Sequence, residues 1–204
     1  MVISKDMPVR ARAYWLLVVM TGVSCFLLTL DSQGLHQVDL GRVALYILAA
    51  LAASGLKTRL PGILVTLSVN YIVIMAALLS LNLGAAMIVG VVSAVGQCCI
   101  CASRKPRWFQ VVFSASAMAL PILAAESVLR SRLLSLEDPS GCLNVLAASL
   151  AYFFMNTIIV AGIVGLTSGK RLSLHWRESY LRTSFHYLVG GGIAGALHFL
   201  NVVS

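Results

Sequence analysis

The stretch CLNVLAASLAYFFMNTIIVAGIVGL, residues 142–166, decides the fold, because it holds no Asp, Glu, Lys, Arg or His. A bilayer's hydrocarbon core is roughly 30 Å thick and takes about 20 apolar residues to cross as a helix. Helix is required for such a run, since lipid offers no partner to backbone N–H and C=O groups left open along a strand edge. Working outward, six further apolar runs share this character, at approximately 13–30, 38–56, 60–81, 83–102, 108–129 and 185–203. Between them stand turn-forming groups: Asp31-Ser32-Gln33-Gly34, Leu60-Pro61-Gly62, Ser80-Leu81-Asn82, Arg104-Lys105-Pro106-Arg107, Asp138-Pro139-Ser140-Gly141 and Ser168-Gly169-Lys170-Arg171. The sequence predicts an all-α membrane protein, a polytopic bundle of about seven transmembrane helices forming a single integral membrane domain over residues 1–204.

Composition agrees. Of 204 residues, 59% are hydrophobic and 11% charged, against roughly 45–50% and about 25% in ordinary soluble domains. The mean hydropathy is +0.92. A soluble enzyme, a disordered chain, a collagen-like fibre and a disulfide-rich secreted scaffold are excluded. Five cysteines, an odd number, argue against a closed disulfide framework.

The net charge of +8 would point to nucleic acid in a soluble domain. In a membrane chain, basic residues report orientation instead. Alternate connections place Lys5, Arg10, Arg12, Lys57, Arg59, Arg104, Lys105, Arg107, Lys170, Arg171, Arg177 and Arg182 on one side. Arg42, Arg130 and Arg132 remain on the other, beside Asp31, Asp39, Glu137 and Asp138. The positive-inside rule puts the N-terminus in the cytoplasm and the chain in the inner (plasma) membrane as a multi-pass protein. Trp15, Trp108 and Trp176 fall at the same cytoplasmic boundary and read as interfacial anchors. The first apolar run exceeds the core of a signal peptide and is followed by Asp31-Ser32-Gln33, so it reads as a retained helix. Seven crossings leave Ser204 outside, which fits either a complete seven-span unit or a unit one helix short.

Polar groups inside apolar runs are functional candidates by default. Asn70, Gln97 and Asn156 lie mid-span, and Glu126 is the one acid well inside a run. Asn70, Gln97, Glu126 and Asn156 therefore form the candidate ligand pocket. The competing readings are interhelical hydrogen bonds for the amides and a local ion pair for Glu126, with Arg130 four residues on along one helix face. Thr66, Ser68 and Asn70 fall in one helical segment. Ala86, Gly90 and Ala94, Ala161 and Gly165, and Gly191 and Gly195 repeat at spacing four, the pattern of close helix approach. Gly190-Gly191-Gly192 fits packing or a kink.

No catalytic constellation is expected: His-Glu-x-x-His, Gly-x-Ser-x-Gly and phosphate-binding Gly-Lys-Ser/Thr patterns are missing from the sequence. Cys98-Cys99-Ile100-Cys101 lacks the paired spacing of a zinc site, and a Cys25–Cys142 disulfide is not expected. The chain is read as having no metal, no cofactor and no nucleic-acid partner. Residues 171–184 carry Arg171, His175, Glu178 and Arg182 along one helical stripe, with Arg177 nearby. They predict an amphipathic cytoplasmic connection that contacts lipid headgroups or couples the bundle to a partner.

Several motifs together carry a resemblance. Arg59-Leu60-Pro61-Gly62 leads into Thr66-Leu67-Ser68-Val69-Asn70. Gln97 precedes Arg104-Lys105-Pro106-Arg107-Trp108-Phe109-Gln110-Val111-Val112-Phe113. Tyr152-Phe153-Phe154-Met155-Asn156-Thr157, Trp176-Arg177-Glu178-Ser179-Tyr180 and Tyr187-Leu188-Val189-Gly190 follow. Residues 57–196 so resemble the membrane-embedded N-terminal sensory region of bacterial cyclic-di-GMP signalling proteins, in which such a module precedes a GGDEF or HD-GYP output domain. The sequence contains neither output signature. The resemblance implies a non-enzymatic sensory module, self-associating as a homo-oligomer, that couples a ligand or membrane state to a cytoplasmic signalling domain or subunit. The alternative is a small-solute-binding membrane component of a transporter, similar to energy-coupling-factor substrate-binding subunits, which are also short, basic and all-helical.

Overall fold

The computed structural model describes residues 7–33, 39–55, 57–59, 66–68, 70–100, 106–131, 141–168 and 184–203. In chain order these form α1 (Val9–Gln33), α2 (Leu40–Gly55), β1 (Lys57–Arg59), β2 (Thr66–Ser68), α3 (Asn70–Ser80) and α4 (Leu83–Ile100). Then follow α5 (Trp108–Ala117), α6 (Ala119–Ser131), α7 (Cys142–Ser168) and α8 (Ser184–Val203). The helical expectation holds. Four continuous apolar helices are long enough to cross a bilayer: Val9–Ser32, Leu83–Ile100, Trp108–Ser131 (α5 and α6 together) and Cys142–Ser168. Leu40–Gly55, Asn70–Ser80 and the Tyr187–Ala196 part of α8 are apolar but shorter.

The run expected as one helix over 60–81 divides. β1 and β2 pair antiparallel, with Lys57 opposite Ser68 and Arg59 opposite Thr66, and the helix begins only at Asn70. Pro61 cannot donate a helical hydrogen bond, Gly62 disfavours helix, and Val65, Thr66 and Val69 are β-branched. Thr66 and Ser68 therefore lie on a strand and share no helix with Asn70. At a rise of about 1.5 Å per residue, the 11 residues of α3 reach about halfway through a hydrocarbon core.

Local chemistry sets most other boundaries. The Asp39 carboxylate accepts from the backbone N–H groups of Gly41 (2.9 Å) and Arg42 (3.4 Å), capping α2. Asn82 does the same for α4, accepting from Ala85 N–H at 2.9 Å. The Gln110 side-chain oxygen accepts from Arg107 N–H at 3.0 Å where α5 begins. Gly141 takes φ +70°, a left-handed conformation that glycine adopts without strain, and its carbonyl accepts from Val145 N–H at 3.1 Å to start α7. The fifth run breaks at Met118. Pro121, three residues on, has no N–H for the Ala117 carbonyl, and its ring crowds that carbonyl.

α4 is the hub, touching α1, α2, α3, α5 and α6. Its Ala86, Met87, Val89, Gly90, Ser93 and Ala94 are buried, so the small-residue pattern at spacing four faces protein. The main core gathers Tyr71, Ile74, Met75 and Leu78 of α3, Met87 of α4, Ile122 of α6 and Tyr152 of α7. α1 is different. Ala11, Trp15, Val18, Gly22 and Thr29 are buried along one stripe, while Leu17, Met20, Leu27 and Leu28 are each more than half exposed. A surface this apolar belongs against lipid rather than water.

That stripe docks closely. Gly22 lies so near the Ser116 backbone of α5 that a β-carbon there would fall on the Ser116 carbonyl. Trp15 Nε1 donates to the Phe109 carbonyl (3.0 Å), Trp15 meets Trp108 edge-on at 6.3 Å, and Tyr14 Oη donates to the Ile159 carbonyl (3.1 Å). Trp15 is 2% exposed and serves α1–α5 packing rather than the interfacial anchoring expected of it. Its indole N–H shares the Phe109 carbonyl in the first turn of α5, which lets the whole ring go inside. Trp108 is 46% exposed, and Trp176 lies outside the described residues.

Candidate functional site

The first turns of α3, α5 and α8 and the last turn of α4 lie at one end of the bundle. In the sequence, the adjoining connections carry Lys57, Arg59, Arg104, Lys105, Arg107, Lys170, Arg171, Arg177 and Arg182. Near this end α3, α4, α5, α7 and α8 leave a cavity of about 210 Å³ between them. α3 contributes Tyr71 and Ile74, α4 contributes Ala94, Gln97 and Cys98, and α5 contributes Phe113, Ser114 and Ala117. Met118 lines it from the α5–α6 break, Tyr152, Asn156 and Val160 from α7, and Tyr187 from α8.

One wall is aromatic. The Tyr71 ring lies 4.5 Å from Tyr187 and 5.1 Å from Tyr152, and Phe153 backs Tyr187 at 5.0 Å. These separations and tilts fall in the favourable range for ring pairs. Tyr152 Oη donates to Met118 Sδ at 3.0 Å, tying α7 to the break ahead of Pro121. Small residues let the wall close: a β-carbon on Gly191 would overlap the Ser149 hydroxyl, and one on Gly190 would press on the Tyr71 ring at 3.0 Å. α8 continues as one helix through Gly190–Gly192, so packing rather than kinking explains the first two of these glycines.

The rest of the lining includes polar, uncharged side chains. Gln97 and Ser114 have no side-chain hydrogen-bond partner among the described residues. Asn156 Nδ2 reaches Tyr187 Oη at 3.4 Å, longer than the usual 2.9–3.0 Å. No Asp, Glu, Lys, Arg or His borders the cavity among the described residues. The site is built for hydrogen bonds and ring contacts, with nothing to neutralise a charge.

The four sequence-selected pocket residues separate. Gln97 and Asn156 share the cavity wall, from α4 and α7. Asn70 is elsewhere: fully buried at the start of α3, its amide donates to the hydroxyls of Ser54 on α2 (3.1 Å) and Ser93 on α4. That is an interhelical clamp. Glu126 on α6 accepts from Arg130 Nε at 2.6 Å, in an i,i+4 ion pair whose arginine side chain is 65% exposed. It stands outside the cavity. Arg171, His175, Arg177, Glu178 and Arg182 lie outside the described residues. Tyr71, Tyr152, Tyr187, Ser114 and Met118 were not selected from the sequence. Their types are ordinary core types, and only the Tyr152–Thr157 and Tyr187–Gly190 motifs marked any of their neighbourhoods. Cys25, Cys98, Cys99 and Cys142 form no disulfide, and Cys98 lies at the cavity wall.

The fold is thus a helical bundle with lipid-facing apolar helices and a partly open cavity whose wall carries no charged group among the described residues. The chain belongs to the MASE9 family, whose family model matches residues 38–187, more than half its length. MASE families are membrane-associated sensory domains, a class that is not catalytic. No curated protein and no solved structure gave a match. Every residue of the cavity wall falls inside the matched region, and Tyr187 is its last residue.

Proposed function

We propose that the chain is a non-enzymatic sensory module of the inner membrane, multi-pass with its N-terminus in the cytoplasm, whose cavity is the input site. The carrying observation is the MASE9 match over residues 38–187, a region that contains the whole cavity wall. The output is a cytoplasmic signalling domain or subunit of the cyclic-di-GMP type, reached through the connection that precedes α8, and the module works as a homo-oligomer. Tyr187 supports that route, because it lines the cavity within four residues of Ser184, where α8 begins.

The mechanism is a population shift. A ligand biases two arrangements only by its difference in affinity between them, and moving 1:99 to 99:1 takes about 10⁴-fold. Tyr187 is the natural discriminator. Its hydroxyl meets Asn156 Nδ2 at 3.4 Å, and its ring touches Tyr71 and Phe153 on two other helices. Filling the cavity therefore presses on α8 where the 169–183 connection joins it. Arg171, His175, Arg177, Glu178 and Arg182 would carry the movement to the headgroup layer and the partner. The alternative of a solute-binding transporter component gains nothing from the family assignment.

The test is hydrogen exchange on the full chain in lipid nanodiscs, with and without cavity-filling ligand or the co-purified partner. Exchange across 169–190 changes while that of the Asn70 clamp stays constant. Unchanged exchange in 169–190 under both conditions refutes the coupling. A Tyr187→Ala variant that keeps its helical content but leaves cellular cyclic-di-GMP at the parental level refutes the assigned output.

A further inference from the structure

The geometry points to an uncharged, single- or fused-ring aromatic molecule bearing a carbonyl or hydroxyl group as the ligand of this cavity, an inference that rests on the cavity being the input site. Size comes first. A dry cavity of about 150 Å³ holds a benzene ring, so 210 Å³ admits one substituted ring or two small fused rings.

Charge comes second. Without Asp, Glu, Lys, Arg or His at the wall among the described residues, an anionic or cationic ligand would lose its hydration and gain no counter-charge, which is prohibitive in a low-dielectric site. The ligand is neutral. Shape comes third: Tyr71 and Tyr187 on one side and Phe113 on another present rings to the same space. Ring faces and edges reward a planar aromatic guest by offset or edge-to-face contact beyond simple area burial.

The polar group comes last, and two independent observations require it. Gln97 and Ser114, on different helices, border the cavity and have no hydrogen-bond partner among the described residues. The Gln97 amide offers both donors and an acceptor and the Ser114 hydroxyl offers one of each, a set that serves a carbonyl or a phenolic hydroxyl equally well. Both side chains are half-buried, and a ring oxygen held between α4 and α5 would replace water as their partner. Asn156, with its long contact to Tyr187, is the third group free to turn to such an oxygen.

Cys98 at the wall provides the measurement. In a full-length chain with Cys25, Cys99, Cys101 and Cys142 changed to Ser, maleimide labelling of Cys98 reports occupancy in nanodiscs. Probes are 4-hydroxyacetophenone and 5-hydroxyindole, with cyclohexanone as a non-aromatic match and benzoate as a charged one. At ten times its Kd, a protecting probe slows labelling about elevenfold. Protection by 4-hydroxyacetophenone and 5-hydroxyindole, weak or none with cyclohexanone and benzoate, and loss of 4-hydroxyacetophenone protection in Gln97→Ala is the expected pattern. Equal protection by cyclohexanone overturns the aromatic assignment, protection by benzoate overturns neutrality, and millimolar probes without effect overturn the ligand class altogether. The two readings fail separately. Probe binding without altered exchange in 169–190 leaves the ligand class standing and removes the coupling. Altered exchange on partner binding, with no probe ever protecting Cys98, does the reverse.

Discussion

Replacing Asn70 by Ala removes the clamp joining α2, α3 and α4, and the structure limits the cost. Two interhelical hydrogen bonds go, from the Asn70 amide to Ser54 and to Ser93. Such bonds are worth roughly 0.6–2 kcal/mol each in membrane bundles. Ser54 loses only an incoming donor, because its own hydroxyl donates to the Ala50 carbonyl at 2.7 Å in either case. That keeps its share near the low end, while Ser93 and the vacated volume add the rest, for a total of about 2–3 kcal/mol. Reversible unfolding in mixed micelles, followed by far-UV circular dichroism, measures it. Gln97→Ala is the matched control, since Gln97 has no partner to lose among the described residues, and it shifts stability by less than about 0.5 kcal/mol. If Asn70→Ala unfolds like the parent while Gln97→Ala is the damaging change, the division of these amides into clamp and cavity wall is wrong.

Gly22→Val drives a β-carbon into the Ser116 backbone, where no side chain can yield. A loss of about 3 kcal/mol or more is expected, together with red-shifted Trp15 emission in a Trp108→Phe, Trp176→Phe background as α1 undocks. Glu126→Gln breaks an ion pair whose Arg130 is mostly exposed; thermal stability falls by less than about 1 kcal/mol, and protection of Cys98 by 4-hydroxyacetophenone is unchanged. Pro121→Ala restores a donor to the Ala117 carbonyl, so amide exchange over 117–121 slows. A break at Met118 that persists in this variant would assign it to packing rather than to the proline.

Membrane class and most helix positions were legible because hydrocarbon solvent imposes one rule, backbone satisfaction within the segment, and long uncharged runs meet it in one way. Breaks inside an apolar run were harder. Residues 60–81 have no charge to mark the hairpin's return, so hydropathy passes straight through β2 into α3. Pro61-Gly62 was visible as punctuation but was set at the start of a helix, whereas α3 begins only at Asn70. Gly22 carries no partner at spacing four, so its contact with Ser116 has no sequence signature; it is defined by what faces it on another helix. The tyrosines of the cavity were hidden for a different reason, since an aromatic residue in an apolar run is the commonest core residue and stands out only once Tyr71, Tyr152 and Tyr187 are seen to meet.

Asn70, Gln97 and Asn156 looked alike in the sequence, and their separation follows from the neighbours each meets. An amide facing small hydroxyl residues closes on them, as Asn70 does with Ser54 and Ser93, and the helices draw together. Facing bulky rings and a broken helix, the Gln97 and Asn156 amides cannot close the same distance. Pro121 interrupts the hydrogen-bond ladder between α5 and α6 near Met118, and tyrosine rings from α3, α7 and α8 pack against one another beside it. A gap results where polar groups already stand. The cavity is thus a consequence of packing rigid residues around short amides, and its position beside the start of α8 makes the one helix entered from the 169–183 connection also the helix whose ring, Tyr187, closes the site.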